Sequence, residues 1–437
     1  MDHPEDQKTA NVRAELQKIV SEREKFRIGQ TRKYYTEEVI KAKEHGKTVI
    51  YAPGFGAGEL VYSFPDCILV VPSDNYCVYT AVKRKHRKFL DLAESRGLNQ
   101  DLCSYDRLAS GLMFAQEGEY GPLPPPDLII GASNMCDTHA RLWDVFTDHY
   151  KGVPFFPFYY PIPEHDERMP DHMIKFGASQ VRKALNFISE HTGKKLDWDR
   201  FKETVKCSID TQTYYVENVV NARVASPSPW STIQAMADAF FLAAYLGRPE
   251  ALEYYKLVGK EVKFRVENKI GINPKERFRL MYTEIPPWFW VEIMRIFQER
   301  GGTLSIESYP STFWLSVLFD KYNNIEPIYE LDPEKPDEAV FLRLANSSMV
   351  RSQKHMLEQY VLATEKYNLD GAIFFTNRTC QICTRSMPMR EALYREKTGK
   401  ATMSFAGEHC DDRTFSQSQT LAKIDAFFDT LERQKRG

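Results

Sequence analysis

What most restricts this chain is a series of short apolar runs separated by stretches of helical period. They fall at residues 48–52, 66–72 and 127–132 in the first third, and at 279–282, 303–307, 371–376 and 401–406 in the last. Runs this short and this apolar suit buried strands, and strands alternating with helices imply parallel, doubly wound sheets. The expected fold class is therefore α/β. In such sheets ligands gather at the carboxyl ends of the strands, so the loops after Ala52, Pro72 and Ala132 are where chemistry is sought.

Between the two groups of runs, residues 171–268 are helical in period almost throughout, broken at Pro227 and Pro229. A proline- and aromatic-rich segment at 151–163 is expected to give a strand that leaves the first domain through an irregular connection. The reading is two doubly wound parallel-sheet domains with an intervening helical layer: an N-terminal helix over 1–30, a first α/β domain over 31–165, a helical region over 166–277 and a second α/β domain over 278–437. A further helix is expected over 31–44, and a glycine-rich turn over 53–58. Single helices are expected over 286–300 and 347–367. With 43% hydrophobic and 13% aromatic residues there is ample material for large cores. The 58 basic and 60 acidic residues leave a net charge of -2, which gives no global field toward nucleic acid or an anionic membrane. The charged N-terminus lacks a signal peptide's apolar core, and no apolar run approaches the roughly 20 residues of a membrane span. A cytoplasmic protein with no nucleic-acid or membrane partner is expected. Eight cysteines in 437 residues are too few for a disulfide scaffold, which leaves reduced thiols for metal or catalysis.

The one close pair, Cys380 and Cys383, is compatible with half a zinc site, a redox disulfide or part of an iron–sulfur site. Zinc calls for a second such pair or nearby histidines, and a thioredoxin-type motif belongs near the start of a small domain; neither condition is met. Position says more than spacing. Cys136 follows the run at 127–132, Cys380 follows the run at 371–376, and Cys103 stands at a turn entering a helix. Each α/β domain thus brings cysteine to a strand's carboxyl end, where one cleft would gather three thiolates and leave one iron open to substrate. On spacing alone the alternative stands: these are small, partly buried thiols with no further role.

Cys103-Ser104-Tyr105, Cys136-Asp137 and Asn377-Arg378-Thr379-Cys380 follow the order typical of the benzoyl-CoA reductase and 2-hydroxyacyl-CoA dehydratase family, which the chain resembles from about residue 46 to residue 431. Gly58-Glu59-Leu60-Val61-Tyr62-Ser63, Asp370-Gly371, and Asp412-Arg413 with Ser416-Gln417-Ser418-Gln419 carry the likeness further. The block Arg279-Leu280-Met281-Tyr282 with Ile285-Pro286-Pro287-Trp288, and the block Asn377-Arg378-Thr379-Cys380, look most like the B-type subunit of benzoyl-CoA reductase. The resemblance implies that Cys103, Cys136 and Cys380 bind one 4Fe-4S cluster. It also implies a subunit of an oxygen-sensitive aromatic acyl-CoA reductase that reduces a CoA thioester by low-potential one-electron steps. The alternatives are an (R)-2-hydroxyacyl-CoA dehydratase subunit, a double-cubane 8Fe-9S reductase and a non-catalytic electron relay. Implied partners are a homologous second cluster-binding subunit or a second copy of the chain, and a separate iron–sulfur ATPase as electron donor. The chain itself has no Gly-x-x-x-x-Gly-Lys-Ser/Thr loop.

The remaining candidates come from the residues alone. His139, His409 and Glu59 are candidate catalytic proton donors, with Tyr105 beside them. The basic run Lys83-Arg84-Lys85-His86-Arg87-Lys88 is a candidate for the coenzyme A phosphates, against the plainer reading of a solvated helix. Trp288, Phe289 and Trp290 are expected to pack, or to line an acyl pocket. Cys67, Cys77 and Cys207 are read as packing residues, and Cys383 and Cys410 as packing residues or spare ligands.

Overall fold

The computed structural model describes residues 4–54, 57–132, 136–159, 161, 169–309, 318–319, 325–326, 329–347 and 352–436. Phe55 and Gly56 of the glycine-rich turn, and the connection around residue 165, lie outside them.

Among the described residues there are two sheets of four parallel strands. The first comprises β1 (Thr48–Tyr51), β2 (Cys67–Val70), β3 (Leu128–Ala132) and β4 (Phe155–Phe158) in the order β2-β1-β3-β4. The second begins with β5 (Phe278–Thr283) and β6 (Gly302–Glu307). After the small antiparallel pair β7 (Leu318–Phe319) and β8 (Ile325–Glu326), it is completed by β9 (Gly371–Asn377) and β10 (Ala401–Gly407), in the order β10-β9-β5-β6. The α/β class with two doubly wound sheets is thus what the chain adopts.

Both sheets reverse direction once, between β1 and β3 and between β5 and β9. These are the points where crossovers on opposite faces leave a crevice at the strands' carboxyl ends. The two halves share a device at this place. Asp127, just before β3, accepts a hydrogen bond from the Val49 N–H at 2.7 Å, and Asp370, just before β9, accepts one from the Arg279 N–H at 2.8 Å. Each carboxylate fixes the register of the central strand against the strand across the reversal.

The helices supply the other layers. α1 (Pro4–Lys33) runs on into a wider π-helical turn, Tyr34–Val39, instead of stopping at residue 30. Nothing at Gln30-Thr31 breaks it: there is no proline, and Gly29 alone does not end a helix. The first sheet carries α2 (Ala57–Val61), α3 (Cys77–Val82), α4 (Arg87–Ser95), α5 (Ser104–Ala115) and α6 (Asp137–His149). The helical layer is α7 (Asp171–Thr192), α8 (Trp198–Tyr215), α9 (Thr232–Ala244) and α10 (Pro249–Glu267). The second sheet carries α11 (Ile293–Glu299), α12 (Pro336–Ala345), α13 (Gln353–Lys366), α14 (Gln381–Thr384), α15 (Met387–Thr398) and α16 (Gln417–Arg436).

Two expectations change. The single helix expected over 286–300 is a 3-10 turn, Trp288–Trp290, followed by α11, because Pro286 and Pro287 cannot enter a helix interior. The helix expected over 347–367 starts only at Gln353, and α12 precedes it with Pro336 in the first turn, where a missing N–H costs nothing. One continuous apolar core joins both sheets and the helical layer. No helix among the described residues is long and apolar enough to cross a membrane.

Candidate metal centre

Each of the three cysteines singled out by position stands at the N-cap of a helix. Cys103 caps α5 with φ -48° and ψ 127°, Cys136 caps α6 with φ -149° and ψ 158°, and Cys380 caps the short α14. Cys136 and Cys380 follow β3 and β9, the strands flanking the reversal in each sheet. A helix N-terminus presents unpaired N–H groups and a partial positive charge, which favours a thiolate. The Cys136 sulfur already accepts the His139 N–H at 3.3 Å.

Burial acts the other way. It pushes the Cys103 thiol well above its ordinary range, with Asp106, Cys380 and Cys136 adding to the rise. Burial, then Asp106, push Cys136 up to about 12, and Cys380 contributes again. The three sulfurs therefore share one electrostatic neighbourhood, and burial favours the protonated thiol at Cys103 and Cys136. Among the described residues no three His, Cys, Asp or Glu donors close on a single-ion shell. By their chemistry three thiols are a donor set of the kind that holds an iron–sulfide core through separate thiolates. A bound metal core would also reverse the proton balance, since ligation removes the thiol proton.

The other candidates sort clearly. His139 is buried against Trp143, and its Nδ1 lies 3.2 Å from Asp106 Oδ1, which ties the first turn of α6 to that of α5. His409 is buried between Tyr105, with ring centroids 5.0 Å apart, and Phe375 at 6.3 Å. Neither of its ring nitrogens has a hydrogen-bond partner among the described residues, and burial pushes its pKa down to about 3. Its carbonyl accepts the Trp288 N–H at 2.8 Å, while the Trp288 indole donates to the Tyr105 hydroxyl. Glu59 is engaged elsewhere. Its Oε1 lies 2.8 Å from the Arg343 guanidinium and accepts the Ser208 hydroxyl at 2.6 Å, a buried ion pair joining α2, α8 and α12. The structure thus places this candidate proton donor in a tie between three helices.

Most of the basic run is also occupied. Arg84 faces Glu292 at 3.5 Å, Lys85 pairs with Glu119 at 2.7 Å, Arg87 with Asp412 at 2.7 Å and Lys88 with Glu117 at 2.5 Å, while His86 is buried. Little of it is left for phosphate. Cys67, Cys77 and Cys410 are buried and Cys207 is half-buried; Cys77 donates weakly to the Tyr105 carbonyl at 3.3 Å. The Cys383 side chain, with Asn134 and Met135, lies outside the described residues.

One element of the site has no counterpart among the sequence-based expectations. Arg107, fully buried on α5, donates from Nε to the Leu102 carbonyl at 2.9 Å, from one amino group to Glu94 at 2.7 Å and Asp411 at 3.1 Å, and from the other to Glu408 at 2.7 Å. Glu408 in turn accepts the Thr379 hydroxyl at 3.3 Å. Leu102 precedes Cys103 and Thr379 precedes Cys380, so one guanidinium positions the approaches to two of the three thiols. Burial pushes Glu408 up to about 7 against the pull of Arg107. For Asp411 the same burial is outweighed by hydrogen bonds from Arg413, and its pKa falls to about 2.

The chain is similar to several known proteins. A family model described as 2-hydroxyglutaryl-CoA dehydratase, D-component, matches residues 53–431. The (R)-2-hydroxyisocaproyl-CoA dehydratase alpha subunit of Clostridioides difficile is 23% identical, over 91% of this chain and 93% of its own length. The (R)-phenyllactyl-CoA dehydratase alpha subunit of Clostridium sporogenes is 23% identical over 95% and 99%. The B-type subunit of benzoyl-CoA reductase from Thauera aromatica is likewise 23% identical, over 92% and 93%.

Proposed function

Since the chain belongs to the 2-hydroxyglutaryl-CoA dehydratase D-component family, we propose that it is the iron–sulfur subunit of an enzyme that dehydrates an (R)-2-hydroxyacyl-CoA, with Cys103, Cys136 and Cys380 holding one 4Fe-4S cluster. The observation that carries the reading is the meeting of three N-cap thiols, drawn from both sheets, in one buried electrostatic neighbourhood. Alpha subunits of two 2-hydroxyacyl-CoA dehydratases among the relatives favour dehydration. Reduction of an aromatic acyl-CoA is the second reading, favoured by the benzoyl-CoA reductase relative and by the blocks at 279–282 and 285–288.

A cluster held by Cys103, Cys136 and Cys380 would supply single electrons at low potential. The chain's own residues do the rest. The N-termini of α5 and α6 offset negative charge on the thiolates. Arg107 fixes Leu102 and, through Glu408, Thr379, so that Cys103 and Cys380 keep their places. Asp106 fixes the orientation of His139 beside Cys136. His139 is the proton carrier of this reading on the ground of position: Asp106 holds its Nδ1, and its backbone N–H donates to the Cys136 sulfur. Electrons arrive from a separate iron–sulfur ATPase, and the active assembly contains a second cluster-binding subunit.

Anaerobic purification with iron and sulfide analysis and EPR tests the site. About four irons per chain are expected, as one 4Fe-4S cluster requires, and Cys103→Ala, Cys136→Ala or Cys380→Ala should each lose or degrade the signal. A cluster that survives all three substitutions would sink the assignment. Roughly double the iron would point to a double-cubane site. Assays of the assembled enzyme with an (R)-2-hydroxyacyl-CoA and with benzoyl-CoA separate the two reactions.

A further inference from the structure

A cavity of about 380 Å³ is walled by Tyr35, Tyr79, Met236, Phe240, Trp288 and Tyr309. Its place follows from the topology. Tyr309 lies two residues beyond β6, and α3, which carries Tyr79, follows β2, so the cavity stands at the carboxyl ends of one strand from each sheet. Its volume and aromatic walls fall within the range of small-molecule sites. Trp288 links the cavity to the cysteines: it lines the cavity, and its indole N–H donates to the hydroxyl of Tyr105, two residues after Cys103.

We propose that this cavity holds the acyl group of the thioester, and that this group is apolar and ring-sized rather than a dicarboxylate. The inference rests on the reading that the chain acts on a CoA thioester. The charges at the wall decide the polarity. Arg27 is bonded to Glu24 at 2.6 Å, and Glu292 faces Arg84 at 3.5 Å. Among the described residues the lining cation outside an ion pair is Arg295, which is exposed at the mouth, so a second carboxylate on the acyl chain would leave water for aromatic surface with no cation beside it. A ring meets only aromatic and methionine surface, which rewards burial. Cations stand at the rim instead. Arg295 is exposed, and Lys83, directly after the lining residue Val82, is exposed with no ion pair among the described residues. They suit the phosphates of coenzyme A at the mouth, with the acyl group inward against Trp288.

Isothermal titration calorimetry on the anaerobically purified full chain, with any co-purifying partner subunit, tests this using benzoyl-CoA, glutaryl-CoA and coenzyme A itself. Benzoyl-CoA should bind at least about tenfold more tightly than glutaryl-CoA. Ile233→Trp, which fills the cavity from α9, should abolish that preference while leaving coenzyme A binding unchanged. Phe240→Ala, which enlarges it, should shift the preference toward naphthoyl-CoA and serves if the first variant fails to fold, as circular dichroism would reveal. Equal binding of the two thioesters, or a preference indifferent to both variants, overturns the inference and leaves the thioester reading standing. Failure of every CoA thioester to bind overturns the thioester reading and the inference with it.

Discussion

Glu408 shows how the centre sets a proton by position. Its carboxyl touches Arg107, yet that guanidinium is divided among Glu94, Asp411 and Glu408, so burial prevails and the pKa rises from 4.5 to about 7. Between these values the folded chain keeps a proton that the unfolded chain has lost. The stability from this group is therefore fully present below about pH 4.5 and is lost as pH rises through 7, by roughly 3 kcal/mol in all. Glu408→Gln, which imitates the protonated form, should flatten that part of the stability profile, and urea midpoints from pH 4 to 8 would measure it. An unchanged slope would assign the dependence to other groups. The network was not legible in the sequence, because Arg107 and Glu408 lie 301 residues apart and carry no motif. The three cysteines were legible as positions, since a thiol just past an apolar run needs only the run to be recognised. The commitment of Glu59 to Arg343 was not, because Arg343 sits on α12, a helix that the residue pattern alone does not reveal.

At the scale of elements, the centre depends on where α5 lies, since its N-cap is Cys103. Gly111 sets that place: a Cβ there would stand 2.0 Å from the Phe89 carbonyl of α4, a backbone atom that cannot turn aside. Gly111→Ala should therefore push the helices apart, lower stability by about 1–3 kcal/mol and reduce the iron retained per chain. Gly29→Ala is the control: in α1, with nothing within 4 Å of the added methyl, it should raise stability by about 0.5–1 kcal/mol. Thermal melts with iron analysis check both, and equal effects at the two glycines would show that the α4 contact does not set the helix. The strands of the two four-stranded sheets were readable because each is a compact apolar or aromatic run, whereas the two-residue β7 and β8 were not. Helix ends were less so: the π-helical turn after α1 and the 3-10 turn at Trp288 are set by what packs on them, which local residue preferences do not record.

For the whole molecule, the two sheets are joined at the centre by bonds of very different worth. Arg107 is buried and reaches Glu408 and Asp411 from the other half, whereas Arg87 pairs with Asp412 at the surface, its side chain 61% exposed. Arg107→Met should cost about 3–5 kcal/mol by leaving buried carboxylates without their cation. Arg87→Ala should cost no more than about 1 kcal/mol. Denaturation midpoints of the two variants would measure the contrast, and comparable losses would mean that the buried ion network does not hold the halves together. The Trp288 indole crosses the same junction, from the loop after β5 to the Tyr105 hydroxyl on α5. That bond gives the protein an internal optical gauge. Subtracting the emission of Trp288→Phe from that of the unaltered chain isolates one fluorophore among six tryptophans, and its wavelength and lifetime follow whether the two halves remain closed on each other.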